Sequence, residues 1–564
     1  MAEVSVQQAF DRVLRLRQAG RRADADSLYR HIVAQIPNEP NALHTLGVLA
    51  HRAGQNEFAA DLIGRAVALA PDDAEYHENL GVVLAASERW GEAAAAFERA
   101  VELDPSVAET CLNAAHALRR SGRPAEAMAR YRQAIALKPD LVPAHNNLGN
   151  LLRESGRIDE AIAAFRKALE HRPDYVEAQN NLASALLETG QPEASLQHYQ
   201  RAIAARPDVP ELYNNLGKAH RAAGDVPAAI AAHEKALALK PDDADAHWNL
   251  SLMLLLSGQF ERGWNEYEWR WAVPEFRSPR PDFRQPQWVG QPLQGKRILL
   301  HAEQGFGDTI QFCRYAPLVA QQGGRVILEC PPELHRLLQI LPGVEQLIAA
   351  GEPLPEFDFH SPLLSLPRIF RTRIETVPNF VAYLQADAAQ AARWQHRLPL
   401  PTDQLRVGLV WAGSAANPND RNRSITLDAL APLLRVPDVR FYSLQTGRGA
   451  DPARDAAGEF KSIVGTDGFE DFADTASLIA NLDLVISVDT AVAHLAGAMA
   501  VPVWALLPFG PDWRWLLDRQ DSPWYPTMRL FRQPRRGNWQ SVVQSVASEL
   551  QQVVMECLPQ FLGR

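Results

Sequence analysis

The sequence predicts an α-helical solenoid followed by an α/β domain of two lobes. Three observations carry this. Prolines stand at Pro37, Pro71, Pro105, Pro139, Pro173, Pro207 and Pro241, each 34 residues after the last. Glycines keep the same period at Gly20, Gly54, Gly122, Gly156, Gly190, Gly224 and Gly258, broken only by Glu88. From Lys296 onward, short β-branched and leucine runs alternate with helical stretches. With 564 residues, the chain is long enough for three or four compact units, and 46% apolar with 22% charged residues is a globular balance. A net charge of −10 offers no basic field to nucleic acid or an anionic membrane. The longest apolar runs, Leu478–Val488 and Ala500–Leu507, are too short to span a bilayer. The opening residues lack the basic start and apolar core of a signal peptide, and Cys111, Cys313, Cys330 and Cys557 form no CxxC pair. A cytoplasmic protein with idle thiols is expected.

Each repeat reads as two helices. The glycine ends the first by entering the left-handed region, and the proline stops the second because it lacks an N–H. Small residues recur at Ala66, Ala100, Ala134, Ala168, Ala202 and Ala236, which lets paired helices approach. Aromatic residues recur at Tyr29, Phe97, Tyr131, Phe165, Tyr199 and Tyr267 and fill the gap beside them. Such units bury their apolar faces by stacking. The pattern resembles the tetratricopeptide repeat over residues 5–271, a general protein-binding architecture.

A further column holds Asn79, Asn113, Asn147, Asn181, Asn215 and Asn249. It precedes core-facing leucines by one position, and a helix turns about 100° per residue, so it faces another side. In tetratricopeptide superhelices that side is the concave groove. Carboxamides both donate and accept, so they suit an extended acceptor peptide. The column resembles the asparagine ladder of the O-GlcNAc transferases; a purely structural role is the alternative. The repeat decays at Gly258–Trp271, where Arg270 interrupts the alanine column, and Trp264, Trp269 and Trp271 are expected to seal the stack and dock it on the next domain. Only Trp90 of the 13 tryptophans precedes residue 248. Residues 272–295, with Pro274, Pro279, Pro281, Pro286 and Pro292, form the expected linker.

In the second half, strands are expected at Arg297–His301, Arg325–Glu329, Arg406–Trp411, Val439–Leu444, Asp483–Val488, Pro502–Leu507 and Met528–Phe531. The spacing suits parallel sheets in two lobes, 296–400 and 404–557, hinged near Leu398–Gln404. Ligands of such sheets bind at the carboxyl ends of strands. Four segments follow strands there. In the first, Gly305 and Gly307 form a turn before Asp308. In the second, Gly413 and Ser414 precede Arg421 and Arg423, whose guanidinium groups suit a diphosphate. In the third, Asp489 and Thr490 open a helix that carries Ala491 and His494, and its N-terminus is an anion site. In the fourth, Leu507–Trp515, planar side chains could cover a base or sugar, but Trp513, Trp515 and Trp524 are read first as packing residues and only second as stacking platforms.

Together these motifs resemble GT-B glycosyltransferases with two Rossmann-like lobes, specifically family 9, the heptosyltransferases, over residues 296–557. The resemblance implies an inverting transferase, and it makes Asp308 the base. It also makes Thr490 and Ala491 backbone phosphate donors, Asp489 a sugar contact, and Arg423, or else Arg421, the basic group where the family has lysine. The bland alternatives are Asp308 as a helix cap or acceptor contact and His494 as a buried structural histidine; His301 and Glu303 are alternative bases. No metal is expected, since the nearest approach to a DxD motif is Glu356-Phe357-Asp358. No cofactor is implied beyond a nucleotide-sugar substrate. The layout resembles bacterial flagellin glycosyltransferases and O-GlcNAc transferase. It implies transfer to a protein hydroxyl, with the acceptor protein, flagellin among the candidates, held by the repeats. Transfer to a lipopolysaccharide or polysaccharide, and a non-catalytic scaffold, are the other readings. The sugar, nucleotide and acceptor are not encoded by any motif.

Overall fold

In the computed structural model, residues 1–11, 14, 17–18, 22–23, 26, 29–38, 275, 277, 279–281, 381, 398–402, 416, 418, 447–462, 465–468 and 562–564, and the side chains of 463 and 557–561, lie outside the described part; all others are described. Tyr29, Pro37, Pro279, Pro281, Cys557 and most of the expected hinge fall outside it. The chain forms two compact units, Met1–Asn215 and Leu216–Arg564.

The first unit is a stack of helix pairs. Its regular part runs from Pro40–Arg52 with Asn56–Leu69 through Val176–Glu188 with Pro192–Ala205. The expected glycines take φ between +74° and +86° at Gly54, Gly122, Gly156, Gly190, Gly224 and Gly258. Glu88, the exception in the series, adopts φ 57° and so performs the same left-handed stop without being a glycine. The second helix of each pair ends two residues before its proline, as in Asn56–Leu69 before Pro71 and Trp90–Leu103 before Pro105. The alanine column is 0–1% exposed. The aromatic column meets glycines that the sequence reading did not single out: a Cβ on Gly81 would stand 2.7 Å from Phe97, and one on Gly149 2.5 Å from Phe165. Close approach therefore depends on two small columns, not one.

The second unit begins with the last repeats, ending at Phe260–Tyr267 and a 3₁₀ turn, Glu268–Ala272. Trp264 is 1% exposed and sets its ring edge-on to Phe312 and Trp513, so the last helix packs on the α/β lobes. The first lobe is a parallel sheet of β1 (Arg297–His301), β2 (Arg325–Cys330), β3 (Val344–Ala349) and β4 (Phe359–Pro362), ordered β3-β2-β1-β4. The second lobe holds β5 (Leu405–Val410), β6 (Val439–Ser443), β7 (Ile463–Val464), β8 (Leu484–Val488), β9 (Val503–Leu507) and β10 (Met528–Arg532), ordered β10-β9-β8-β5-β6-β7, all parallel. Read from β7, that is the doubly wound order 3-2-1-4-5-6, and the direction of winding reverses between β5 and β8. In the first lobe it reverses between β1 and β4. Both lobes are thus Rossmann-like. Among the described residues, no helix is long and apolar enough to cross a membrane.

Candidate functional site

The crevice outside β5 and β8 is where a doubly wound sheet opens to a ligand. Gly413 follows β5, and Asp489 follows β8. The Gly413 N–H donates to Ser424 Oγ at 3.0 Å, and Ser424 in turn donates to Asp420 at 2.9 Å, which folds the turn back on itself. A Cβ on Gly413 would lie 2.5 Å from Arg423 Nη2, so the glycine makes room for that guanidinium. Arg423 Nη1 donates to the Asp489 carbonyl at 2.9 Å and bridges the two strand ends. Its Nε is buried with no hydrogen-bond partner among the described residues. Arg421, on the same short helix, is exposed, as is Ser414. The structure therefore brings Gly413, Arg423 and Asp489 together and leaves Arg421 at the surface.

Thr490 is the N-cap of the Ala491–Ala498 helix, yet its hydroxyl does not cap it; Thr490 Oγ1 instead lies 3.0 Å from Ser487 Oγ. The first N–H groups of a helix have no intrahelical partner, so the backbone of Ala491 and Val492 presents donors and the positive end of the helix dipole. Asp489 beside them is pushed up to about 6, first by burial and then by the Asp512 charge, while Arg423 and Arg514 pull it down.

Asp308 stands in the first turn of the Phe306–Phe312 helix that follows β1. Its carboxylate accepts from the Gly305 N–H at 2.9 Å, the capping contact that the sequence allows. Its other oxygen accepts from Arg514 Nη2, and Arg514 comes from the opposite lobe. Arg514 is itself held by Asp512 at 2.8 Å and by Gln311 Oε1 at 2.7 Å, with its guanidinium 4.3 Å over Trp513. Burial raises the Asp308 carboxyl above its ordinary value, and the Arg514 charge opposes the rise. Arg514 escaped the sequence reading, which weighed Leu507–Trp515 for its planar side chains. Its signal was a basic residue two positions after the Asp512 turn.

Gly307 faces the other lobe: a Cβ there would lie 2.9 Å from His494 Cδ2. His494 is 5% exposed, stacks on Trp515 at 5.3 Å and has Nδ1 2.9 Å from the Tyr525 hydroxyl. Burial, then Arg514, lower it well below its usual value, so it is a neutral packed imidazole. Trp513, Trp515 and Trp524 are 4%, 0% and 1% exposed, in keeping with the packing role preferred for them over a stacking platform. Of the alternative bases, Glu303 is 5% exposed, is paired with Arg270 through two bonds of 2.8 Å and also accepts the Leu364 N–H. His301 is 2% exposed and lies 3.3 Å from His360 Nδ1.

The expected asparagines are half-buried, Asn79 to Asn215 in the first unit and Asn249 in the second. Asn181 Nδ2 donates to Asn146 at 3.0 Å, and Asn215 Nδ2 donates to Asn180 at 3.1 Å. Asn146 and Asn180 reach their neighbours Asn147 and Asn181 at 3.4 Å. Five amides thus form one chain across three repeats, and Asn146 and Asn180, one step before the expected column, are links the sequence reading missed. Asn79 lies 3.0 Å from His44, and Asn249 donates to the Asp245 carbonyl at 2.7 Å, so the end repeats are wired differently. Asn113 is half-buried with no such link described.

The chain therefore combines tetratricopeptide repeats with a two-lobed α/β half, part of which is similar to a glycosyltransferase family. The tetratricopeptide repeat model matches residues 44–108, 112–169 and 146–210, and a second repeat model matches 217–258. The model of glycosyltransferase family 9 (heptosyltransferase) matches residues 446–513, which include Asp489, Thr490, Ala491 and His494. A curated relative, Protein FlbA of Caulobacter vibrioides, is 28% identical over 320 residues, 53% of this chain and 53% of that protein. The match thus spans about half the length of that relative. Among solved structures, YrrB, a TPR protein with an unusual peptide-binding site, is 20% identical and covers 33% of this chain and 96% of its own, with a TM-score of 0.30. PilW, a type IV pilus biogenesis factor, is 21% identical over 37% of this chain and 96% of its own, with a TM-score of 0.34.

Proposed function

We propose that the chain transfers a sugar from a nucleotide-sugar to a serine or threonine hydroxyl of an acceptor protein, with lobes of the GT-B type at 296–400 and 404–557. The observation that carries this reading is the placement of Arg423, Asp489 and the Ala491 helix start at the reversal point of the second sheet. A leaving nucleotide diphosphate meets a guanidinium and outward-facing backbone N–H groups there, which stabilise the charge that develops as the bond to the sugar breaks. Asp308 accepts the proton of the acceptor hydroxyl as its oxygen bonds to the anomeric carbon from the opposite face, and the product is inverted. Asp489 holds a sugar hydroxyl. The repeats supply the acceptor through amides that bind a peptide backbone without reading its side chains, and flagellin is the first acceptor to test.

The test is intact mass spectrometry of candidate acceptors co-expressed with this chain. The acceptor is expected to gain the mass of one sugar or more. Asp308→Asn abolishes the gain while acceptor capture persists; alanine at Asn147, Asn181 and Asn215 weakens capture but spares donor hydrolysis. An unmodified acceptor set, or full transfer by Asp308→Asn, overturns the reading.

A further inference from the structure

The turn before Asp308 is bent in a way that its sequence does not favour. Gln304 adopts φ 63°, although it is not a glycine and is exposed. A Cβ disfavours that region, so such a backbone persists where neighbouring groups impose it. Its direction matters for Asp308. The N–H of the next residue, Gly305, donates to Asp308 Oδ2 at 2.9 Å. The Gln304 backbone sets where this N–H points, and the N–H sets where the carboxylate points.

The groups that impose the bend come from the end of the repeats. Tyr267 closes the Phe260–Tyr267 helix, and its hydroxyl accepts from Gln304 Nε2 at 2.8 Å. Ser278 Oγ accepts from the Gln304 N–H at 2.8 Å. Arg270, between them in sequence, donates to both carboxylate oxygens of Glu303. Residues 303 and 304 are thus tied, at side chain and backbone, to the chain that leads out of the last repeat. The anchor is itself fixed. Tyr267 is 1% exposed, and its ring lies 4.9 Å from Trp248 and 5.7 Å, edge-on, from Trp264.

Tyr267 also belongs to the aromatic column of the repeats, and there its hydroxyl is unlike the others. The Tyr199 hydroxyl stays within the stack, 2.8 Å from Ser184 Oγ, and Phe97 and Phe165 carry none. At Tyr267 the same column directs a hydroxyl to the turn after β1. Stacking a helix pair does not need that contact, and the exposed Gln304 buries little apolar surface through it. The contact serves the geometry of the turn.

We propose that the end of the repeat array is a positioning element for the Asp308 turn, with Tyr267 and Gln304 as its positioning residues. Tyr267 holds the Gln304 side chain, the held side chain keeps the backbone left-handed, and the Gly305 N–H then aims the Asp308 carboxylate. The use of that aim in proton transfer rests on the transferase reading above; the bracing of the turn does not.

Full-length Tyr267→Phe, Gln304→Gly and the double variant are compared with the unsubstituted chain by hydrogen–deuterium exchange over residues 302–309, by melting temperature and by sugar transfer. Exchange at Gly305 is expected to quicken about tenfold in each single variant, with the melting temperature unchanged. It quickens no further in the double variant, because both changes remove one contact. Gln304→Gly is the stringent case. Glycine enters the left-handed region without the Cβ cost, so a turn held by its own backbone preference would become better protected. In transfer, kcat is expected to fall about tenfold at an unchanged donor KM. Gly305 exchange that stays at the unsubstituted rate overturns the proposal, as does an additive rise in the double variant or full kcat in a variant whose turn has loosened. If the unsubstituted chain transfers no sugar while the variants loosen the turn, the bracing stands and the transferase reading alone fails.

Discussion

Asp308 and Arg514 form the pair on which the proposed chemistry turns, and they come from different lobes. A general base must be ionised to take a proton, and its removal costs about 10²–10⁴-fold in rate. Burial holds Asp308 above its ordinary value, so activity falls as pH drops through a point above the usual carboxylate range. Arg514 is the largest influence opposing that rise. The Arg514→Met variant is therefore expected to move the acid limb of kcat/KM to still higher pH and to slow transfer, with Arg514→Lys restoring part of both. A pH–rate profile of the three proteins checks this. A slower variant with an unmoved limb would mean that Arg514 only holds the fold together. Asp489, raised to about 6 by burial and Asp512, adds a second ionisation in the same crevice, so the profile is to be repeated in Asp489→Asn to separate the two.

The helix pairs show what a single sequence discloses and where it stops. Periodicity fixed the repeat because every unit solves the same packing problem, and the glycine stop is so consistent that its one exception, Glu88, adopts the same backbone at φ 57°. A non-glycine residue in that region costs roughly 1–2 kcal/mol, partly offset by the extra unfolded freedom of glycine. Glu88→Gly is expected to stabilise the repeats by up to ~1 kcal/mol, read as a higher urea midpoint at unchanged slope; a lower midpoint would show that the Glu88 side chain has a compensating contact. Seven strands were legible as apolar runs. β3 was not, since Glu345 and Gln346 are exposed on it, nor β4, four residues ending in Pro362, nor the two-residue β7. These strands are specified by their neighbours and not by their own composition. The same limit applies at the site. Strand-end turns marked Gly413, Arg423, Asp489 and Asp308, but the Arg514 contact joins positions 206 residues apart, and Asn146 and Asn180 matter only through partners 35 residues away. No local pattern encodes a partner at that distance.

At the scale of the molecule, the residues between Leu216 and Trp271 belong to the core of the α/β half as well as to the repeat. Met253, Leu255, Phe260, Trp264 and Tyr267 share one buried cluster with Ile310, Phe312, Trp513 and Trp524. Arg270, 0% exposed, donates to Glu303 twice, to Ser365 Oγ at 2.9 Å and to Glu268 at 3.1 Å. A fragment begun at Lys296 loses Met253, Leu255, Phe260, Trp264, Tyr267 and Arg270 and strands Glu303 in the interior without its counter-charge. Breaking such a buried pair alone costs about 3–5 kcal/mol, against a total stability of about 5–15 kcal/mol for an ordinary domain. Residues 216–564 are therefore expected to melt as one cooperative unit and elute as a single species, whereas residues 296–564 aggregate. The full-length Arg270→Met variant isolates the electrostatic part: its α/β half should melt earlier, and adding Glu303→Leu should recover much of the loss, because two apolar side chains need no pairing. Calorimetry and size-exclusion chromatography of the four proteins decide it. A well-folded 296–564 fragment would move the boundary of the α/β half to the proline-rich segment and reduce the last repeats to a removable cap.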